Sequence, residues 1–270
     1  MTACRRRTCS SCVSTNFRKS TAWARSSRTA VKQRIAGRIP VLECLRAGKR
    51  TARRLFVLPS ARGIGDILDA AAGIPVEERP RNELDQLVEG TVHQGVVLEA
   101  DPLPLLTETA WLAQTLPADA VAVVLDGIED PHNFGAIVRS ASALGAHGVL
   151  FAKRHAAPLS AAALKSAAGA MEYIDLVEVT NIARALGALK EAGFWVAGFD
   201  ADAPQTLWQA DLGGRIALVI GSEGEGMRRL VQETCDFLVC IPLTGAITSL
   251  NASVSAAIAL AECRRRRVSG

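Results

Sequence analysis

Aromatic residues and long apolar runs are both scarce in this 270-residue chain. Phe, Trp and Tyr make up 4% of it, and no stretch reaches the roughly 18 consecutive apolar residues of a membrane-spanning helix. Hydrophobic residues of all kinds nevertheless make up 49% and charged residues 21%, which is typical of a globular protein. We therefore expect a core built from Ala, Val, Leu and Ile, and no membrane partner.

Cysteine is present but follows no pattern. The seven cysteines are odd in number and irregularly spaced, which argues against a secreted disulfide framework and favours the reducing cytoplasm. Cys4, Cys9 and Cys12 have a spacing seen in some iron–sulfur proteins, but the same segment holds no fourth cysteine. We interpret that spacing as coincidence. The four scattered histidines indicate no metal site either.

Acidic residues are missing from the beginning of the chain, where the first carboxylate is Glu43. Residues 1–30 are rich in Arg, Ser and Thr and show no apolar periodicity, so we expect a disordered basic tail. The tail either contacts RNA or reflects a misassigned start codon, and its composition is also typical of a mitochondrial transit peptide. The net charge of +4 permits a polyanionic partner without requiring one.

The pattern of residues divides the rest of the chain into three parts. Residues 31–100 contain short helix and strand patterns, which indicate a small α+β domain. Residues 101–118 hold three prolines and are expected to be a linker. Residues 119–270 alternate between strand and helix patterns. This alternation predicts an α/β domain with a mainly parallel sheet and helices on both faces.

Ligands of open α/β sheets bind beyond the carboxyl ends of the strands, so the loops after the predicted strands are candidate sites. The first such loop begins at Asp126 and enters a helix predicted from about Asn133 to Leu144. Arg139 points away from the apolar stripe of that helix. It is therefore either a solvated surface residue or a functional cation, and Asn133 is either a helix cap or a site residue.

The second loop runs from Gly221 to Gly226 with the spacing G-x-x-G-x-G, which is not that of a dinucleotide-binding loop. Its carboxylates, Glu223 and Glu225, would repel a phosphate group. The loop therefore suits a ligand that lacks phosphate and carries positive charge, and S-adenosylmethionine fits this description better than NAD or ATP.

The third loop begins at Ile241 and leads into a last helix predicted from about Asn251 to Arg266. Ser249 and Asn251 are residue types that commonly start a helix, so capping alone would explain them. Neither this loop nor the other two identifies a function by itself.

Taken together, the three loops resemble the three motifs of the SpoU (TrmH-type) family of RNA 2′-O-ribose methyltransferases, part of the SPOUT superfamily. The resemblance extends nearly continuously over residues 121–265. The matching residues are Asp126-x4-Pro131-His132-Asn133-x5-Arg139, Gly221-x-Glu223-Gly224-x-Gly226-Met227 and Ile241-Pro242-x6-Ser249-Leu250-Asn251-x-Ser253. The small domain, including Gly90 to Gly95, resembles the N-terminal RNA-binding domain of the branch that methylates guanosines of large-subunit ribosomal RNA.

The resemblance implies an architecture that the residue pattern does not reveal. It implies a C-terminal trefoil knot, although knots are very rare in proteins. It also implies a small domain similar to ribosomal protein L30e, and a homodimer with the active site at the subunit interface. The implied substrate is a guanosine ribose of 23S rRNA, methylated in the cytoplasm.

The resemblance also implies roles for individual residues. Gly221, Ile241 and Leu250 would bind S-adenosylmethionine through backbone contacts. The catalytic residues would be Arg139, Asn133, Glu223, Ser249 and Asn251. Arg139 would act as a base or stabilise the attacking oxygen, and the latter is at least as plausible because arginine is almost never deprotonated. The alternatives are a transfer-RNA ribose methyltransferase and a non-catalytic ribosome assembly factor.

Two surfaces follow from residue composition. A basic flank of the small domain would bind RNA, or be a solvated face, and consists of Lys49, Arg50, Arg53 and Arg54. Small residues of the last helix would form a dimer contact, or pack within the chain, and these are Ala252, Ser253, Ala256, Ala257 and Ala261.

Overall fold

The computed structural model describes residues 32–89, 91–153, 159–246 and 248–269. The predicted tail and its three cysteines lie outside this range. Within it, the strands form two sheets, one of four strands and one of eight. We call the four-stranded sheet with its helices the small unit, and the eight-stranded sheet with its helices the large unit.

The small unit is a mixed sheet with three helices. Its elements are β1 (Gln33–Ala36), α1 (Arg38–Ala47), β2 (Ala52–Val57), α2 (Gly65–Ala70), β3 (Val76–Glu78), α3 (Arg81–Leu87) and β4 (Val96–Ala100). The strand order is β1-β4-β2-β3, with β4 antiparallel to both neighbours and β3 parallel to β2. β4 is buried along its whole length, because α1 and α2 cover one face of the sheet at this strand and α3 covers the other.

The large unit is a parallel sheet with helices on both faces. Its elements are β5 (Leu106–Thr107), α4 (Glu108–Leu112), β6 (Val121–Asp126), α5 (Pro131–Ala143), β7 (Gly148–Ala152), α6 (Ala161–Ala167), a 3₁₀ turn (Ala170–Glu172), β8 (Asp175–Val179), α7 (Ile182–Glu191), β9 (Trp195–Phe199), β10 (Gln205–Thr206), β11 (Ile216–Gly221), α8 (Arg229–Thr234), β12 (Phe237–Cys240) and α9 (Ala252–Ser269). The strand order is β10-β12-β9-β11-β6-β7-β8-β5, and every pair is parallel.

Strand β6 shows why this sequence forms a two-sided sheet. All six of its residues are buried, and successive side chains point to opposite faces. Val123 joins a cluster with residues of α5, α6 and α9, whereas Val124 joins a cluster with residues of α4, α7 and α8. A parallel sheet covered on both faces is the arrangement that a continuous apolar strand predicts. The predicted α/β class with a mainly parallel sheet is confirmed.

Residues 101–118, predicted as a linker, contain two elements of the large unit. Strand β5 extends the sheet by pairing with β8, and α4 carries the fully buried Trp111. Trp111 lies so close to Gly148 that a Cβ on that glycine would come within 2.7 Å of the indole ring. This part of the chain therefore packs into the core, and the domain boundaries themselves stay a prediction.

Two of the five small residues predicted to form a dimer contact on α9 pack within the chain, whereas Ala261 is exposed. Ala252 and Ala256 are 5% and 1% exposed and belong to the same core cluster as the buried face of α5. The interpretation of these two residues as a dimer contact is therefore wrong, because close packing of α9 on α5 uses them already. Among the described residues, no helix combines the length and the apolar character that crossing a membrane requires.

The basic flank of the small unit is not a free surface. Each of its four cations lies in an ion pair with a carboxylate. Arg53 pairs with Asp101 at 2.7 Å, and Arg54 pairs with Glu77 at 2.5 Å. Lys49 and Arg50 pair with carboxylates of the large unit. The prediction of an RNA-binding flank was wrong for Arg50, since its guanidinium is buried.

Candidate active site

Helix α5 begins earlier than the sequence predicts, and the difference frees Asn133. The carboxylate of Asp130 caps the helix by accepting from the backbone nitrogens of His132, at 3.0 Å, and Asn133, at 3.3 Å. Pro131 occupies the first turn, where its missing N–H costs no hydrogen bond. Asn133 is therefore not the cap, and its side chain is available for other contacts.

Three predicted site residues meet at the carboxyl edge of the large sheet. The side-chain amides of Asn133 and Asn251 each donate to Glu223 Oε1 over 2.6 Å. Asn251 also donates to Asn133 Oδ1 over 2.9 Å. These residues come from the first turn of α5 and from the loops after β11 and β12, which are far apart in sequence. We call them the Asn–Glu–Asn cluster.

Asn251 has a second task, because it also starts α9. Its Oδ1 accepts from the backbone nitrogen of Ser253 at 2.9 Å, from the Ser253 hydroxyl at 2.6 Å and from the Val254 nitrogen at 3.4 Å. One side chain thus caps the last helix with its oxygen and joins the cluster with its nitrogen. Asn251 is therefore both a helix cap and a residue of the candidate site.

The loop that carries Glu223 is a tight turn. Ser222 and Gly226 exchange backbone hydrogen bonds of 3.0 and 3.1 Å. Gly221 faces this turn so closely that a Cβ there would lie 2.4 Å from the carbonyl carbon of Gly226. Gly221 is also the register partner of Asp126 on the neighbouring strand. The turn therefore holds Glu223 above the ends of β6 and β11, and Gly221 must remain glycine.

A buried carboxylate below this turn, which pairs with an exposed arginine, was not predicted from the sequence. Asp126 is 1% exposed and accepts from the backbone nitrogen and from Nε of Arg228, both at 2.8 Å. Its Oδ1 also lies 2.6 Å from Nη2 of Arg228. A carboxylate that ends a fully apolar strand needs a partner, and that position was the signal in the sequence.

Ser249 and two of the residues expected to bind the cofactor, Ile241 and Leu250, lie on the open loop between β12 and α9. Ser249 is exposed, whereas Ile241 and Leu250 are half-buried. Ser249 forms no hydrogen bond to any described residue, so the structure does not join it to the Asn–Glu–Asn cluster. Residues 242–246 and 248–250 likewise form no backbone hydrogen bonds within the described chain. Their C=O groups, and the N–H groups of all of them except Pro242, have no backbone partner in the described chain and could bind a ligand.

Arg139 stands apart from the Asn–Glu–Asn cluster. It is exposed on α5 and forms no hydrogen bond or ion pair with any described residue. Six residues along an α-helix separate it from Asn133, which corresponds to about 9 Å along the axis and a different face. The predicted direction of Arg139, away from the apolar stripe, agrees with its exposure. Within one chain the structure does not bring it to the cluster.

The nearby thiol and the acidic side chains offer no other chemistry. Burial, with the charge of Asp236, raises the pKa of Cys235 to about 12, so the thiol stays protonated and is a poor nucleophile. Across the part of the chain that the structure describes, no group of His, Cys, Asp and Glu side chains is arranged to hold a metal ion. The polar groups at this edge are thus suited to orienting a substrate.

An open parallel sheet with polar loops at its carboxyl edge defines a ligand-binding α/β protein. Comparison with known proteins identifies its family. Residues 120–261 match the SpoU rRNA Methylase family, and residues 34–106 match the family of RNA 2′-O ribose methyltransferase substrate-binding domains. The chain belongs to the SpoU family and is an RNA 2′-O-methyltransferase.

Individual relatives agree with this assignment. An uncharacterized tRNA/rRNA methyltransferase of Mycolicibacterium vanbaalenii is 42% identical over 91% of this chain and 80% of its own length. The 23S rRNA (guanosine-2′-O-)-methyltransferase RlmB of Pseudomonas aeruginosa is 45% identical over 74% of this chain and 82% of its own length. The crystal structure of the methyltransferase AviRb from Streptomyces viridochromogenes, in complex with AdoMet, superposes with a TM-score of 0.72. It is 25% identical and covers 88% of this chain and 91% of its own.

Proposed function

We propose that this protein methylates the 2′-hydroxyl of a guanosine ribose in 23S rRNA. The observation that carries the proposal is the Asn–Glu–Asn cluster, in which residues from all three family motifs share hydrogen bonds. The similarity to RlmB over three quarters of the chain supports the guanosine of 23S rRNA as the substrate.

The methyl donor is S-adenosylmethionine, which supplies a methyl group on a positively charged sulfur. The turn from Gly221 to Gly226 fits this molecule because it carries two carboxylates and no basic residue. The open loop after Ile241 fits it because its backbone groups are unpaired within the described chain. We assign Gly221, Ile241 and Leu250 as the residues that hold the cofactor through their backbone.

The chain's own residues have to orient a ribose and stabilise its attacking oxygen. Glu223 accepts from both Asn133 and Asn251, which locks the rotamers of the two amides. The cluster would place the ribose, because positioning supplies much of the acceleration of a two-substrate reaction. Ser249, exposed beside the cluster, would hydrogen-bond the substrate. Arg139 would stabilise the charge that develops on the 2′-oxygen as its proton leaves.

A second copy of the chain would place its Asn–Glu–Asn cluster next to Arg139. Arg139 is exposed and about 9 Å along α5 from Asn133, so a single chain leaves it outside the cluster. A homodimer with the site at its interface would pair Arg139 of one protomer with the cluster of the other. We also propose the trefoil knot of the family. Its support is that the chain leaves β12, beyond β9, and returns to form hydrogen bonds with the first turn of α5 and with the loop after β11.

The small unit would bind the RNA. We propose that it is an L30e-like domain, which its mixed sheet and its match to substrate-binding domains support. The domain boundaries proposed from the sequence, at residues 31–100 and 119–270, accompany this assignment. We place the enzyme in the cytoplasm, where its rRNA substrate is assembled. The four cysteines of the described chain are all free, which agrees with a reducing compartment.

The proposal is tested with purified protein, tritiated S-adenosylmethionine and transcripts of 23S rRNA and of transfer RNA. We expect 2′-O-methylation of one guanosine in the 23S transcript and none in transfer RNA. Glu223→Gln should lower the rate at least about tenfold, since the lost carboxylate orients both amides. Glu191→Gln is the matched control, because Glu191 is exposed at the end of α7, lies outside the three loops and has no partner among described residues.

Other outcomes lead to the alternative functions. Methylation of transfer RNA alone would overturn the proposed rRNA substrate and support a transfer-RNA ribose methyltransferase. The name of the Mycolicibacterium relative includes both kinds of RNA. Tight binding of 23S rRNA without methyl transfer would indicate a ribosome assembly factor. Equal rates for Glu223→Gln and the parent would remove the cluster from the reaction.

A further inference from the structure

Lys49 and Arg50 lie where the small unit meets the large unit. Arg50 forms an ion pair with Glu172 in which the side chains are 2% and 3% exposed. Lys49 donates to the backbone oxygen of Ile174 over 2.6 Å, and its ammonium lies 3.7 Å from Asp175. Burial lowers the pKa of Lys49, and Asp175 opposes this shift. Two cations of the small unit are thus inserted into one segment of the large unit.

A third contact closes the edge of the same junction. The hydroxyl of Tyr173 donates to Glu43 Oε2 over 2.6 Å. Glu43 lies against Gly169, whose φ is +88° and where a Cβ would come within 2.5 Å of the Glu43 side chain. We call these contacts the polar latch. Its residues are Glu43, Lys49 and Arg50 of the small unit and Glu172, Tyr173 and Asp175 of the large unit.

The central pair of the latch is poorly suited to provide stability. Nε of Arg50 and Oε2 of Glu172 are buried without a hydrogen-bond partner in the described chain. Burying two charges carries a desolvation penalty that their attraction only partly offsets. Such a pair can instead hold the small unit and the large unit in one defined arrangement. Arg50 adds to this by donating to Gln33 of β1 over 2.6 Å.

The segment that receives the latch also supports the helix of the active site. Glu172 belongs to the 3₁₀ turn Ala170–Glu172, which packs against α5. Met171, in the middle of that turn, shares a buried cluster with Phe134 and Ile137 of α5. Asn133 lies next to Phe134 on the same helix. The turn Ala170–Glu172 therefore contacts the small unit on one side and helix α5 on the other.

We propose that the polar latch positions the RNA-binding unit relative to the methyl-transfer site, and so determines which ribose of the bound RNA is methylated. Arg50 and Glu172 are its principal positioning residues. This inference rests on the proposed function, because it needs an RNA that spans both units. The latch touches no reacting atom, and it acts through the turn beneath α5.

The test measures binding, rate and accuracy separately in Glu172→Gln, which keeps the shape of the side chain and removes its charge. We expect the affinity for the 23S transcript and for S-adenosylmethionine to stay within about twofold of the parent, since no contact to either changes. We expect kcat/KM for the transcript to fall about tenfold, because a small misplacement of a reactant strongly slows its reaction. We also expect methyl groups at riboses beside the target.

Two further variants separate positioning from a general loss of structure. Glu77→Gln is the matched control, since it breaks the Arg54–Glu77 pair inside the small unit and should leave rate and accuracy unchanged. The charge swap Arg50→Glu with Glu172→Arg should recover part of the rate and the single methylation site. If Glu172→Gln does not fold, Tyr173→Phe removes only the outer hydrogen bond and should still lower accuracy about twofold.

The outcomes also distinguish the latch from the proposed function. A parent enzyme that methylates one guanosine and a folded Glu172→Gln variant that does the same at the same rate would overturn the latch alone. A parent that methylates no RNA would overturn the proposed function. In that case hydrogen exchange still tests the latch, since Glu172→Gln should speed exchange at residues 168–175 and at β1, and unchanged exchange would contradict it.

Discussion

Arg50 and Arg139 show how differently two regions of this molecule use the same side chain. Arg50 lies at the junction of the two units, buried and paired with Glu172. Arg139 lies on the outer face of α5, exposed and without a partner among the described residues. A buried guanidinium must be paired to exist in the core, whereas an exposed one is available to a polyanion. A basic residue of this protein is therefore available to RNA only where the fold leaves it exposed and unpaired.

We expect the largest effect from replacing Arg139. Arg139→Ala should lower the rate of methyl transfer by about 10² to 10³, the scale for losing one preorganised electrostatic contact. Its unfolding free energy should change by no more than about 0.5 kcal/mol, because the residue contacts nothing in the described chain. Single-turnover methylation, with S-adenosylmethionine binding measured alongside, checks both. Arg139→Lys should not restore the rate, since an ammonium lacks the planar fork.

A parental rate in folded, cofactor-binding Arg139→Ala would contradict this prediction. The residue would then be an ordinary surface arginine, and the case for a shared site in a dimer would lose its main support.

We expect a smaller effect, on stability, from replacing Arg50. Arg50→Met should lower the unfolding free energy by about 3 kcal/mol, because it leaves the Glu172 carboxylate buried without a partner. Arg53→Met is the matched control, since Arg53 is 51% exposed in its pair with Asp101. That change should lower the unfolding free energy much less, because an exposed ion pair contributes little to stability. Urea denaturation of both variants is the measurement, and equal losses would show that burial does not decide the role of these cations.

The smallest effect concerns the basic run at the end of α9. Hydrogen bonds from Arg265 and Arg266 lower the pKa of Glu262 from its ordinary value of 4.5 to about 2. A carboxyl whose pKa is lower in the folded state stabilises the fold above its unfolded pKa, and this contribution is lost as the pH falls through the folded pKa. Glu262→Gln should therefore unfold more easily than the parent near neutral pH, with the difference shrinking between about pH 4.5 and 2.

Thermal unfolding of the two proteins across this pH range checks the prediction. If the difference in stability between the two proteins did not change with pH, Glu262 would stabilise the fold through its shape and not through its charge. The same run contains Arg266 and Arg267, which donate to backbone oxygens such as those of Trp208 and Gly214. Like Arg50, they are structural cations.

Much of the large unit was predictable from the residues, for a physical reason. A strand such as Val121–Asp126 is apolar along its length, and the helix after it repeats its apolar residues at helical spacing, so both signals are local. Short elements such as β1, β3 and β10 were not predicted, because two to four residues are too few to show a period. The sequence offered Asn133 as the cap of its helix, whereas the cap is Asp130 and Asn133 is the third residue of the helix.

What the sequence determined by itself is the class of fold, the family and the identity of the polar residues in the three loops, because each depends on residues close together along the chain. What only the tertiary structure decided is which of them meet. Asn133, Glu223 and Asn251 are separated by up to 118 positions and share hydrogen bonds, whereas Arg139, six positions from Asn133, does not join them. The structure also turned Lys49 and Arg50 from an RNA-binding flank into a latch, since the carboxylates that pair with them lie more than a hundred residues away. Pairing over such distances depends on how the two sheets pack, and no local pattern records it.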